Sequence, residues 1–433
     1  MTKIINKKSL AILLALLMAV SVFAGVSIPA SADYDPTTDE LVSDYYYSPG
    51  SYVIEASGIY YLDDDITDAT IFVNVNGDTN YVTIKGSGID SGDERSTITI
   101  DCAAGTHLRL EDLYIKNSAT GTSPDHGGTV VSGASAVRFT GAGNYLDISG
   151  DVLLESTTYV SSAVVAVNAG TTLNITGADS SRFYMYKYTQ GCGIGADAGN
   201  ANGNINIQSG NLFFKGSKTG AIIGNDTCGD TTKEGQMGTI TISGGNIELA
   251  TMSQGAAIGG SRMSKGNTVA ITGGNVSILT DYTGSAIGAG AQLASTASNN
   301  GSLTLGTGAS LQVIRTGNSL YGNYTTTQYL NDTLVMYALQ NGNNGTALRQ
   351  CKVPVSGSSV TITEGTTTLY SGGNPTIYPY VGSTTSTVAN WDFNNPVTGY
   401  VYIYLTAGTH YITVNNTSYT CTWDNTTETF TVA

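Results

Sequence analysis

Apolar and polar positions alternate in short bursts along most of this chain, and the bursts recur. Segments 203–214, 238–249, 267–279 and 301–313 each read as an alternating strand, a glycine turn and a second alternating strand. Ile240-Thr241-Ile242, then Gly244-Gly245, then Asn246-Ile247 is the clearest copy. Alternation at a period of two places one side chain inward and the next outward on a pleated strand. Weaker copies occupy 105–117, 143–155 and 170–186. A second element, Gly-x-x-Ile-Gly, recurs at 191–195, 220–224, 255–259 and 284–288, its starts 29, 35 and 29 residues apart.

Each strand in the unit is too short to stand alone, so the repeat predicts stacking. Three short strands per unit describe one coil of a solenoid whose continuous core no single coil could bury. The expected fold is all-β: a right-handed parallel β-helix over 51–322. Its glycines supply sharp bends between strands, and its small residues let neighbouring backbones pass closely. A propeller with Trp-Asp signatures does not fit, because both tryptophans, Trp391 and Trp423, lie outside the repeats. The Gly-Gly-x-Gly-x-Asp series of calcium-binding nonapeptide repeats is absent, and the density of Gly, Ser and Thr opposes helical repeats.

Beyond about residue 322 the pattern changes to Tyr-, Thr- and Asn-rich strands. A small antiparallel β-sandwich-like domain is expected over 323–433. Within it, 398–414 reads as a strand, a tight turn at Ala407-Gly408-Thr409 and a returning strand, with further strands at 360–365 and 374–381. At the other end, Lys3, Lys7 and Lys8, the apolar run 10–26 and Ala30-Ser31-Ala32 predict a secretory signal peptide over 1–32. Residues 33–50 are read as a linker or N-terminal cap. Secretion, or display at the cell surface, is the expected location, with no segment for membrane insertion after the signal.

The whole chain carries 18 basic and 33 acidic residues. Loss of the three signal lysines leaves 15 against 33, a net charge of −18. Such a surface argues against nucleic acid as a partner. Five cysteines, Cys102, Cys192, Cys228, Cys351 and Cys421, are an odd number in a compartment that permits disulfides. Cys192 and Cys228 fall at nearby points of successive repeats, and Cys351 and Cys421 share the C-terminal part. All five also read as small buried apolar groups.

Candidate chemistry is sparse. Hydrolysis of a glycosidic bond needs two positioned carboxylates, and the densest set on an inter-repeat loop is Asp226, Asp230 and Glu234. A solvated acidic loop is the plainer reading of the same residues. The series that marks polygalacturonases is missing, and His107, His126 and His410 have no matching surroundings. Asp63, Asp64, Asp65 and Asp68 offer hard oxygen ligands suited to Ca²⁺, or form an exposed turn. Tyr45, Tyr46, Tyr47, Tyr60, Tyr61, Tyr184, Tyr186 and Tyr188 are candidate carbohydrate-binding residues, because a phenol ring joins an apolar face to a polar tip. A half-buried sheet face explains them equally.

The alternation of Gly-Ala-Ala-Ile-Gly-Gly at 255–260 with Ile-Thr-Ile-Ser-Gly-Gly-Asn at 240–246 resembles a repeat of bacterial secreted and cell-surface parallel β-helix proteins described as carbohydrate-binding-domain-containing. The resemblance spans roughly 105–314. It implies a secreted, non-catalytic polysaccharide-binding or adhesive role, commonly assisted by calcium. A polysaccharide lyase or glycoside hydrolase using the 226–234 loop is the enzymatic alternative. A structural surface or matrix protein is the third reading.

Overall fold

The computed structural model describes residues 51–62, 66–75, 77–90, 93–117, 135–156, 162–188, 191–280, 285–291, 299, 301–315, 348–382, 387–427 and 429–433. The regular structure of the described chain is almost entirely strand. The repeats stack in register. Ile194, Ile223, Ile258 and Ile287 of the Gly-x-x-Ile-Gly elements are successive partners in a nine-stranded sheet. It runs from Ser51–Ile54 to Ile287–Gly288, and its described pairings are parallel. The closing glycine of that element has a steric cause. Gly195, Gly224 and Gly259 have φ of +137°, +151° and +135°, and a Cβ on each would collide with the carbonyl oxygen of the next glycine in the column.

The alternating strands form a second sheet, and here the expectation of a right-handed parallel β-helix is corrected. The pairing closes on itself through eight parallel strands, a barrel in its hydrogen bonding, with the nine-stranded sheet as an additional layer. The ring runs Asn144–Ser156, Thr172–Gly177, Asn204–Ile207, Ile240–Ile242, Thr268–Thr280, Asn246–Ser253, Asn211–Lys218, Arg182–Lys187 and back to Asn144–Ser156. Closure comes from two long strands. Asn144–Ser156 and Thr268–Thr280 each continue through the bend that was expected to end a strand, and each pairs with both short strands of the neighbouring repeat. Gly150 (φ +62°) and Gly274 (φ +84°) carry those bends, because a residue without Cβ turns in the left-handed region at little steric cost. Further strands extend the ring: His107–Asn117, Val82–Lys85, Gly58–Tyr61 and Glu94–Ser96 on one side, and Ser302–Arg315 on the other.

Inward-facing Leu, Ile, Val and Phe from both sheets make one continuous core, including Leu108, Leu146, Leu173, Ile205, Ile240 and Val269. At about 1.5–3 kcal/mol for each fully buried large apolar side chain, this column is the main stabilising term.

The C-terminal part holds two antiparallel sheets around a second core of Cys351, Val353, Ile362, Val401, Ile412 and Cys421 among others. One pairs Leu348–Pro354 with Tyr400–Thr406. The other has the order Thr367–Gly373, Ser359–Glu364, Thr409–Val414, Thr417–Asp424, Thr429–Val432. The hairpin expected across Ala407-Gly408 is corrected: its two strands belong to different sheets. The chain changes sheets at Gly408 (φ +138°), so Thr409–Val414 pairs with Ser359–Glu364 and Thr417–Asp424 instead. The described residues 374–382 and 387–397 form no strand. They make isolated bridges, Ile377 with Val397 and Tyr380 with Trp391, and pack as a strap against the outer face of the ring.

Candidate functional site

The acidic loop does not assemble a carboxylate pair. Asp226 is buried, 3% exposed. Its Oδ2 accepts the Gly191 N–H at 2.8 Å and its Oδ1 accepts the Cys228 thiol at 3.1 Å. Burial, then the Asp226 charge, push that thiol up to about 12. Asp230 is exposed and caps the single-turn helix Thr231–Glu234, accepting from the Thr232 and Lys233 amides at 2.9 and 3.3 Å. Glu234 pairs with Lys265 at 2.9 Å. Each carboxylate is committed to a separate local task.

The tyrosine candidates divide. Tyr60 is buried, and its hydroxyl donates to the Ala56 carbonyl at 2.9 Å. Tyr184 is fully buried under the strap, in a cluster with Tyr114, Leu153, Phe213, Ala250 and Trp391. Phe393 meets Tyr184 edge-on at 6.0 Å and Phe213 at 5.0 Å. Tyr60 and Tyr184 are therefore removed from the sugar-binding set, because no ligand face is presented. Tyr186 and Tyr188 are half-buried, with Lys215 and Lys218 over their rings at 5.4 and 4.4 Å. Tyr61 is half-buried beside Lys85. Tyr45, Tyr46 and Tyr47 lie outside the described residues, as do Asp63, Asp64 and Asp65. Asp68, exposed at φ +53°, offers a single carboxylate and no calcium site by itself. Among the described residues no group of three or more His, Cys, Asp or Glu is placed to hold a metal ion.

Two arrangements were not anticipated from the sequence. Lys187 lies inward on its strand, in the phase of Phe183 and Met185, and is 1% exposed. Its ammonium donates to the Ser162 carbonyl at 2.6 Å and to Ser156 Oγ at 3.4 Å. Burial pulls its pKa down to about 8 against the opposing charges of Asp197, Cys192 and Asp226. The phase of the strand was a signal for this: 183, 185 and 187 share a face. The enclosure makes it a buried polar support with no approach for a ligand.

The second arrangement is half-buried on the outside of the sheet. The outward faces of the parallel strands carry a row of aligned side chains. Tyr81 precedes Val82–Lys85, whose register with His107–Asn117 sets it beside His107. His107 is the Cα partner of Tyr145, Tyr145 of Asn174, Asn174 of Asn206, and Asn206 of Thr241. A parallel second row is Arg109, Asp147 and Thr176. The rings of Tyr81 and His107 meet edge-on at 5.6 Å, and those of His107 and Tyr145 lie tilted at 4.4 Å. The Arg109 guanidinium sits 4.6 Å from the Tyr81 ring centre and 2.7 Å from Asp147 Oδ2. Thr176 Oγ1 donates to the other Asp147 oxygen at 2.7 Å. Burial, then the Asp147 charge, raise the Tyr81 phenol above its ordinary range. Farther on, the Asn206 amide donates to Asn174 Oδ1 at 3.0 Å, and Asn204, Gln208, Ser243, Thr268 and Thr304 stand exposed.

This row is flat, fixed to a rigid sheet and amphipathic. At a spacing of about 4.8 Å per strand, the six strands from Tyr81 to Thr241 span roughly 24 Å. The alternation Gly105-Thr106-His107-Leu108-Arg109 and Asn144-Tyr145-Leu146-Asp147 already placed His107, Arg109, Tyr145 and Asp147 on the outer face. Their mutual alignment needed the register. A cleft of about 330 Å³ between Ser302–Arg315 and the C-terminal sheets, lined by Leu305, Ala309, Leu348, Leu369, Tyr402 and Tyr404 among others, carries no acid or base. No helix among the described residues is long and apolar enough to cross a membrane. No family model, curated protein or solved structure matches the chain.

Proposed function

We propose that this chain binds an extracellular polysaccharide, without cleaving it, along the row that runs from Tyr81 through His107 and Tyr145 to Asn174 and Asn206. The carrying observation is the alignment of two tyrosines and a histidine with amides and an ion pair on one outward, half-buried face. Aromatic rings offer apolar area to the C–H face of a pyranose while their polar edges hydrogen-bond. Asn, Gln and Thr side chains supply donors and acceptors without net charge. The ligand lies across the strands, so that successive sugars meet successive rungs. A chain with 33 acidic and 18 basic residues favours neutral glycans over polyanions. The hydrolase or lyase alternative finds no support in the 226–234 loop, where the three carboxylates are separately engaged.

The test is retention of the purified chain on insoluble and soluble neutral and acidic polysaccharides, with assay of released sugar. Retention on a neutral glycan without release, and loss of at least tenfold in affinity in Y81A/Y145A, is the expected result. That loss corresponds to about 1.4 kcal/mol. Release of reducing ends or unsaturated products refutes the non-catalytic reading. Equal retention of wild type and Y81A/Y145A refutes the placement of the site, and no retention on any glycan leaves the structural-protein reading standing.

A further inference from the structure

We propose that Cys351 and Cys421 are joined by a disulfide bond that staples the two C-terminal sheets to each other. Cys351 lies on Leu348–Pro354, opposite Ile403 of the two-stranded sheet. Cys421 lies on Thr417–Asp424, opposite His410 and Val432 of the five-stranded sheet. The two residues come from different sheets, yet both are 0% exposed and belong to one core. Each thiol acts on the other, and the interaction raises the pKa of Cys351 and lowers that of Cys421. In the structure both are thiols, so the pair is poised in its reduced form.

The other cysteines have different surroundings. Cys192 is packed among Ala163, Ala166, Ala196 and Ala221, with Ser261 Oγ at 3.9 Å from its sulfur. The Cys228 thiol donates a hydrogen bond to Asp226, and Cys102 is enclosed in the main core. The stacked position of Cys192 and Cys228 in successive repeats therefore does not make a pair.

Cys421 also has the surroundings of the attacking thiol. Interaction with Cys351 favours its thiolate most; burial then opposes it, the neighbouring His410 favours it and Glu364 opposes it. His410 is itself fixed, with Nδ1 2.8 Å from Glu364 Oε1 and Nε2 2.9 Å from the Thr406 carbonyl. A thiolate is the nucleophile in disulfide exchange. The oxidant is an external disulfide, either a small molecule or an oxidised dithiol protein. While the chain folds, before the core closes over it, Cys421 loses its proton and attacks one sulfur of that disulfide, releasing the other as a thiolate. Cys351 then loses its proton and attacks Cys421, releasing the second thiolate. Two electrons pass to the external disulfide, which leaves as two thiols after taking up the two protons.

The bond closes a loop of about 70 residues, long enough for a large restriction of the unfolded chain. The experiment is denaturing alkylation and peptide mass mapping of the full chain, after refolding with glutathione disulfide. Two of the five thiols should escape alkylation, and a cross-linked peptide should carry Cys351 and Cys421. Reduction should lower the Tm of wild type and leave that of C351A/C421A unchanged. Five alkylated thiols, a different pairing, or an equal effect of reductant on the double variant would each overturn the proposal. If C351A/C421A does not fold, the wild-type map decides alone.

Discussion

Glu248 ties the strap to the ring through a protonated carboxyl group. It is 3% exposed, and its Oε1 accepts the Tyr378 N–H at 3.0 Å. Burial raises its pKa from 4.5 to about 8, against hydrogen bonds from Tyr378, Ser277 and Asn246 that lower it. With the strap lifted, the group returns to its ordinary value. Docked strap therefore holds more protons between pH 4.5 and 8, and its stability is full below pH 4.5 and lost as pH rises through 8. From those two values the loss between pH 5 and pH 9 is about 4 kcal/mol, or roughly three decades in the opening equilibrium. Glu155 and Lys215 face the same strap through Thr387 and Asn390 and persist in the variant. Glu248→Gln copies the protonated shape and removes the titration. The assay is hydrogen exchange at the Tyr378 amide and its strap neighbours, corrected for the intrinsic pH dependence of exchange. Wild type should lose protection over this range, and Glu248→Gln should stay nearly level. An identical pH slope in both proteins would refute the role assigned to Glu248.

Other substitutions test the remaining contacts. Gly224→Ala forces a Cβ into the Gly259 carbonyl at a positive φ and should destabilise by about 3 kcal/mol or more, whereas Gly235→Ala, at φ −68° with no contact closer than 3.6 Å, should be neutral in thermal melts. Trp391→Ala removes the buried indole that meets Phe213 at 5.6 Å and Tyr380 at 5.7 Å. It should cost about 3–5 kcal/mol of strap docking, read as increased binding of a hydrophobic dye. Asp226→Ala strands the buried Gly191 N–H and should cost about 1–3 kcal/mol of stability, with glycan retention by the folded protein unchanged. A selective loss of sugar release in that variant would instead revive the enzymatic reading.

The sequence by itself determined the all-β character, the repeat and the direction of its side chains. Alternation is a local property: Ile205, Ile240 and Val269 had to share a face once their segments were strands, and so had His107 and Arg109 on the opposite one. The Gly-x-x-Ile-Gly element likewise announced a close backbone approach, which the column Gly195, Gly224 and Gly259 makes. What the tertiary structure decided is everything that depends on how one segment meets a distant one. At Gly150 and Gly274 the pairing skips a few residues and then resumes on the same strand, and only the pairing partners reveal that this closes a ring in place of an open stack. Gly408 looks like a hairpin turn because a glycine between two alternating runs is the local signal for one, whichever sheet the second run joins. Tyr184 and Tyr186 have the same alternating phase, yet a strap from 200 residues away along the chain covers Tyr184 fully and leaves Tyr186 half-exposed. The row from Tyr81 to Asn206 was present in the sequence as unrelated outward positions. Register made it a surface, since a sheet brings side chains about 5 Å apart that the chain separates by some thirty residues.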